Sequence, residues 1–583
     1  MSFKSRDLSP ATLGAILFGF TFVVWLPSVA NGFVWDDVNN LVSSDRLMQW
    51  RSFIDVFFHD AMWSAEREQA AVGTYRPIAL ASFVLDFQLY GRKAAGFHLS
   101  SVVWQSLAAL VLFRAFLKFA SPVAAFAMAA LWAAHPACAE ATAWINGRSE
   151  VFAVLFGAGA LACVGVPRLT PLRWLGAALC LLGALLSKEA GLVFVPVVVW
   201  LAGEADGRAS RKWPWQRIHW PVVVAAVVAM GVYILMRKNA LSGGVAPGVA
   251  YSPEAAAALA PVWGRSFLTS LMPLDRSLQH LSLWLQGLTD LDRSLYLAGA
   301  ITLCVAVLGF WLAGRRIASV GLLWWMISLL PVALIAPKSW PGYYRWLVIG
   351  LPGLLLFFYH GFRGLVPHRL AIGTSCLALV GAVVLTQRAI PVWRTGGSLF
   401  KTMMDEHPEI DYGYVGYGAW LIEVGRDAEA EEVLRKGLTL DYARPDMWLF
   451  LARAISSQNR CDEAVEAAEG KVAGRIPAHV AYSLARCYEV NGLWDQAVVA
   501  YGKCADYVKI CADRQPIAVE WAAKTKKAPE SGAPESGAPE SGAPESAAPQ
   551  SGAPESAAPG TAAPGTAADK NPGPASAGPS VGE

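Results

Sequence analysis

Two adjacent carboxylates, Asp36 and Asp37, stand just past the first long apolar stretch, in Val34-Trp35-Asp36-Asp37. A carboxylate beside hydrocarbon costs free energy, so a pair at a membrane edge does not help insertion. Solvation at a helix end is the plain reading. The chemical reading is a general base facing a hydroxyl. Further polar clusters favour chemistry. They are Tyr75-Arg76-Pro77, His135-Pro136 followed by Glu140, Asn146-Gly147-Arg148-Ser149-Glu150, Ser187-Lys188-Glu189, and Lys338 to Arg345. A snorkelling side chain explains Lys338. Lys188-Glu189 is different, because it interrupts an apolar stretch of more than thirty residues and so points to a polar cavity. Lysine and arginine suit a phosphate or pyrophosphate, and arginine can hold it bidentately. A cavity that opens to lipid and holds both a base and cations would let an amphiphilic phosphate donor meet a soluble acceptor.

The elements that must position these groups are membrane helices. The 583 residues are 55% hydrophobic and 16% charged, which does not suit one soluble globule. A net charge of +3 gives no basis for nucleic-acid binding. Apolar segments near 11–30, 97–118, 122–135, 150–166, 172–187, 190–203, 219–236, 295–313, 317–336, 346–361 and 370–387 predict an all-α, polytopic domain of about eleven spans. The first has no convincing cleavage site before Asn31 and reads as a retained span. With Lys4 and Arg6 in the cytoplasm, every second loop is basic, as the positive-inside rule requires. Asp36, the 135–149 loop, the 188–189 turn and the long loops 31–96 and 237–294 then share one outer face. An odd span count places the C-terminal part there too.

From about residue 396 the pattern changes. Val424–Ala430, Gln458–Ala464 and Asn491–Ala497 align, with final alanines 34 and 33 residues apart, the tetratricopeptide period. This predicts a short helical solenoid of about three repeats over 396–520. Cys461, Cys487, Cys504 and Cys511 lie in it, enough for one or two disulfides in an oxidising compartment, with the pairing open. Residues 521–583, which from Ala528 repeat Ala-Pro-Glu-Ser-Gly, read as a disordered tail, either a spacer or a target for O-glycosylation.

Together these segments resemble the GT-C superfamily of integral-membrane glycosyltransferases. In order and spacing they look like the transmembrane and tetratricopeptide-repeat O-mannosyltransferases and their bacterial relatives, over roughly residues 11–515. The resemblance implies a GT-C-type catalytic domain over 1–395, with a polyprenyl-phosphate sugar as co-substrate and inverting transfer to Ser or Thr of a protein. It implies Asp36 as base, with Asp37 positioning acceptor or base. Arg148, Lys188 and Arg345 are candidates for the donor phosphate, and Arg76, His135, Glu140 and Glu189 for lining the site. No acidic cluster demands a metal, and an inverting displacement needs only a base and a stabilised leaving group. The expected partners are the lipid bilayer, the lipid-linked donor and a protein acceptor docked by the repeats. The expected location is a bacterial inner membrane, with a cytoplasmic N-terminus and the site and repeats in the periplasm. Two alternatives are a glycolipid or envelope-glycan acceptor, and a non-enzymatic membrane scaffold.

Overall fold

A computed structural model describes residues 8–61, 63, 74–164, 170–205, 219–241, 253–274, 279–280, 284–285, 287–335, 341–342, 344–440, 447–469, 478–505 and 509–527. Of the sequence features above, Lys4, Arg6, Lys338 and residues 528–583 of the tail lie outside these residues, whereas 521–527, expected as the start of the tail, end the helix Lys509–Lys527. The chain divides into two compact units, 1–398 and 399–583.

The first unit is an all-α, polytopic membrane bundle. Its helices of twelve residues or more are α1 (Pro10–Trp25), α2 (Pro77–Tyr90), α3 (Ala94–Phe116), α4 (Pro122–Ala133), α5 (Arg148–Cys163), α6 (Pro171–Ser187) and α7 (Phe194–Ala205). They continue with α8 (Trp220–Ala240), α9 (Pro253–Leu271), α10 (Asp290–Leu312), α11 (Arg316–Ser328), α12 (Arg345–Phe362) and α13 (His368–Ala389). A two-residue antiparallel pairing joins Gln279–His280 to Pro341–Gly342. Among the described residues seven helices are long and apolar enough to cross a bilayer, and a bent pair at 122–142 makes an eighth. The expected total of about eleven is larger because the segments near 150–166, 172–187 and 190–203 form α5, α6 and α7. These have 16, 17 and 12 residues, short for a straight crossing, which takes about 20.

Two local features shape the bundle. The first is close approach: a Cβ on Gly321 would stand 2.5 Å from the Gly353 carbonyl oxygen, so α11 and α12 touch backbone to backbone. Small residues do this where hydrophobicity cannot drive helices together. The second is the 52° break after α4. Pro136 cannot continue the helix, and the carbonyls freed at the break find side-chain donors. Trp25 Nε1 reaches Ala133 O at 2.8 Å and Thr386 Oγ1 reaches Ala134 O at 2.7 Å. In hydrocarbon such groups must be satisfied internally.

The loop after α1 is also held. Gly32 N donates to Arg394 O at 3.0 Å and Asn31 Nδ2 to Ile390 O at 3.3 Å. Leu41, Leu47 and Val56 then bury against Leu80, Phe83, Val84 and Phe87 of α2.

The second unit contains three helix pairs: Asp411–Glu423 with Asp427–Gly437, Met447–Ser457 with Cys461–Glu469, and Ala478–Val490 with Trp494–Cys504. Each pair turns through one left-handed residue, Gly425, Asn459 and Gly492 (φ 76°, 62° and 70°). These recur at the same 34- and 33-residue offsets as the aligned alanines. Glycine and asparagine tolerate that region best. Ala452 and Ala485 are fully buried. Disulfides join Cys461 to Cys487 and Cys504 to Cys511.

Candidate active site

The Asp pair sits in a turn closed by its own second member. Asp37 Oδ2 accepts from Val34 N at 3.2 Å, and Asp37 N donates to Val34 O at 3.1 Å. Between them Trp35 has φ +55°, a region a bulky residue enters only when its surroundings hold it there. Its indole stacks on Trp144 with centroids 5.0 Å apart, and Trp144 stacks in turn on Trp393 at 5.6 Å. Asp36 is half-buried and Asp37 fully buried.

Asp37 Oδ1 accepts from both the backbone N and the Nδ2 of Asn146, each at 3.0 Å. Burial pushes its carboxyl up to about 8, against the three N–H donors that favour the anion and with Asp36 adding to the rise. With both oxygens occupied and no exposed surface, Asp37 serves as the clamp that fixes the Asp36 turn to the 144–147 turn.

The 135–150 segment is the scaffold for the rest. His135 caps the 136–138 turn by accepting from Ala137 N at 3.1 Å, and its Nε2 lies 3.2 Å from Ser270 O. Gly147 is required by packing, since a Cβ there would stand 2.0 Å from Glu140 O. Glu150, buried near the start of α5, receives two cations on one oxygen: Lys188 Nζ, and Arg345 Nε at 3.2 Å. Glu140 stands 3.5 Å from the same Arg345 Nε and accepts from Arg345 N at 3.2 Å. The Arg345 guanidinium lies 4.9 Å from the Trp144 ring centroid. The expected residues Asp37, Glu140, Lys188 and Arg345 therefore do converge on this one segment.

Arg148 does not join them. Its guanidinium is fully buried, 2.6 Å from Asp86 Oδ2, and donates to Ser101 Oγ (3.1 Å), Ser82 Oγ (3.0 Å) and Phe97 O (2.7 Å). Arg148, a candidate for the donor phosphate in the sequence, is placed apart from Lys188 and Arg345: it ties the start of α5 to α2 and α3, buried and paired with Asp86. Arg76 and Glu189 form a separate pair. Arg76 Nη2 and Nε lie 3.1 and 3.2 Å from Glu189 Oε2, and Tyr75 N donates to Glu189 Oε1 at 3.1 Å. Since Glu189 follows Lys188 in the chain, this pair adjoins the Lys188–Glu150 contact.

The sequence pattern assigns no role to Asn146, Glu150, Asp86 or Arg237. Glu150 and Asp86 carry a usable signal, because each is a lone acid in an apolar helix, where ionisable groups are expensive and need partners.

A polytopic helical membrane protein with a pinned carboxylate pair and clustered cations is the class these observations define. Comparison with known proteins narrows it. No family model matches the chain. It is similar to TMTC-family proteins, the resemblance read from the sequence. It is 25% identical over 188 residues to protein O-mannosyl-transferase F38B6.6 of Caenorhabditis elegans, covering 32% of this chain and 27% of that protein. It is 32% identical over 159 residues to human protein O-mannosyl-transferase TMTC1, covering 26% and 18%. It is 24% identical over 209 residues to Drosophila melanogaster Tmtc3, also a protein O-mannosyl-transferase, covering 30% and 22%. The matches thus span about a quarter or less of these relatives.

Proposed function

We propose that this protein is a membrane glycosyltransferase that moves a sugar from a polyprenyl-phosphate carrier to Ser or Thr hydroxyls of proteins. The observation that carries the reading is the pinned Asp36 turn beside a buried cluster of two acids and two cations, in a chain similar to protein O-mannosyl-transferases. Asp36 takes the proton from the acceptor hydroxyl. The hydroxyl oxygen forms the new bond to the anomeric carbon as the bond from that carbon to the phosphate oxygen breaks, with inversion. The departing phosphate gains stabilisation from Lys188 and Arg345, whose charges are held in place by Glu150 and Glu140 before substrate arrives. Preorganised charge of this kind is worth about 10²–10³ in rate per group. In this scheme a base and a stabilised leaving group suffice without a metal. The paired helices of the second unit, with their tetratricopeptide-like offset, would dock the protein acceptor on the periplasmic side of a bacterial inner membrane.

The test uses the detergent-purified full chain with lipid extract from its own cells and envelope proteins as acceptors. Peptide mass spectrometry should find hexose added to Ser or Thr. Mild acid treatment of the lipid extract, which hydrolyses sugar–phosphate esters, should abolish transfer. Sugar appearing only on lipid would move the reading to a glycolipid acceptor, and no transfer to either pool would leave a scaffold.

A further inference from the structure

With Arg148 buried against Asp86, the candidate donor cations offer little accessible charge. Lys188 has 8% of its side chain exposed and Arg345 14%. Both already answer Glu150, so a lipid phosphate arriving from the bilayer would meet neither first. The group that meets the requirement is Arg76–Glu189–Arg237. Arg76 and Arg237 are each 30% exposed and share the one carboxylate of Glu189, 33% exposed.

The two arginines are not held alike. Arg76 makes two contacts near 3.1 Å to Glu189, whereas Arg237 Nη1 stands 3.8 Å from it and donates to Tyr233 Oη at 3.1 Å. At 30% exposure each, Arg76 and Arg237 present charge to an incoming anion that the more buried Lys188 and Arg345 do not. Its position favours a lipid anion. It sits in the last turn of α8, a candidate span whose Val224, Val227, Val232 and Leu235 are exposed, as lipid-facing residues are. An ordinary interfacial arginine would snorkel away from the bundle, but Arg237 is turned inward to Glu189 and Tyr233, beside the chain neighbour of Lys188.

We infer that Arg237, with Arg76, is the entry site for the phosphate of a membrane-carried polyprenyl-phosphate donor, handing it toward Lys188 and Arg345. This rests on the glycosyltransferase reading. The guanidinium–phosphate contact is charge-assisted and hydrogen-bonded, the strongest kind available to a neutral-pH site.

Arg237→Gln should raise the KM for the lipid donor on the order of ten-fold or more, the loss expected of one charge-assisted hydrogen bond. kcat and the acceptor KM should stay near wild type, and Arg237→Lys should recover part of the loss. Glu189→Gln gives the opposite sign. It removes the competing carboxylate and should tighten binding of a polyprenyl phosphate, whereas a purely structural staple would lose stability with no gain in affinity. Binding is read separately, as the shift in Tm of the full chain on adding polyprenyl phosphate or, at equal concentration, inorganic phosphate. A shift with the lipid alone that Arg237→Gln removes is the expected result. Equal shifts with both would make this a site for free phosphate and overturn the lipid entry role. No shift with either, or a wild-type donor KM in Arg237→Gln, would overturn the inference outright. An Arg237-dependent lipid shift without any sugar transfer would instead sink the glycosyltransferase reading and leave the lipid-phosphate site standing.

Discussion

Arg148–Asp86 and Arg76–Glu189–Arg237 are built from the same chemistry and do different work. The first is one cation on one acid, 0% and 4% exposed, with three further acceptors around the guanidinium. The second is two cations on one acid, about a third exposed. A closed, neutral pair holds helices in register and has nothing left to offer a ligand. An open group whose cations share a carboxylate gives up little on binding an anion. Fixed position and available charge are thus divided between two places in the bundle. The Lys188–Glu150–Arg345 cluster lies between these extremes, buried but with two cations sharing one carboxylate oxygen.

Breaking the closed pair should have the largest effect on stability. Asp86→Ala strands a buried guanidinium and should cost about 3–5 kcal/mol, read as a loss of folded yield and a lower Tm in detergent. Replacing both members by apolar residues, Arg148→Met with Asp86→Leu, should recover much of that stability. If the double variant is no better than the single, the pair is not acting as a closed unit.

The intermediate cluster should answer in rate. If the charge acts on the leaving phosphate as proposed, Lys188→Gln should lower kcat by about 10²–10³ with a smaller change in donor KM. A change in KM alone would place Lys188 with the entry group instead. The open group should answer least in stability. Arg76→Gln should lower Tm less than Asp86→Ala does, because this pair keeps contact with solvent and Glu189 retains Tyr75 N and Arg237.

Asp37 sharpens the same contrast through pH. Its carboxyl is pushed up to about 8 in the fold, from 3.8 for an unperturbed group. The folded state therefore holds a proton that the unfolded chain releases, so this group's contribution is complete at low pH and is lost as pH rises from about 4 to about 8. Asp37→Asn should flatten that part of the stability–pH profile, measured as Tm against pH. A slope unchanged in the variant would remove Asp37 as its source.

Much of this site was legible in the chain because hydrocarbon makes polar residues conspicuous. Lys188, Glu189, Glu140 and the Asp pair stood out against apolar runs, and the structure groups most of them around 135–150. The repeat offset was equally plain, and the left-handed residues 425, 459 and 492 recur at it. What could not be read was which arginine is closed and which is open. Arg148 and Asp86 lie 62 positions apart in sequence. Their meeting depends on how α5 is rotated against α2 and α3, which composition and spacing do not encode. Arg237 was hidden for the opposite reason, because a cation in the last turn of a span is the ordinary arrangement. The disulfide pairing was set by which helices adjoin, information that an even cysteine count lacks.

The central claim is that Asp36 is the base for sugar transfer, and Asp36→Asn tests it most directly. The variant keeps the size of the side chain and, with a Tm matched to wild type, would be compared in the same transfer assay with native lipid donor and envelope acceptors. The account predicts that wild type adds hexose to Ser or Thr, while Asp36→Asn loses nearly all turnover yet still shows the Tm shift with polyprenyl phosphate. Transfer at wild-type rate by Asp36→Asn would contradict it.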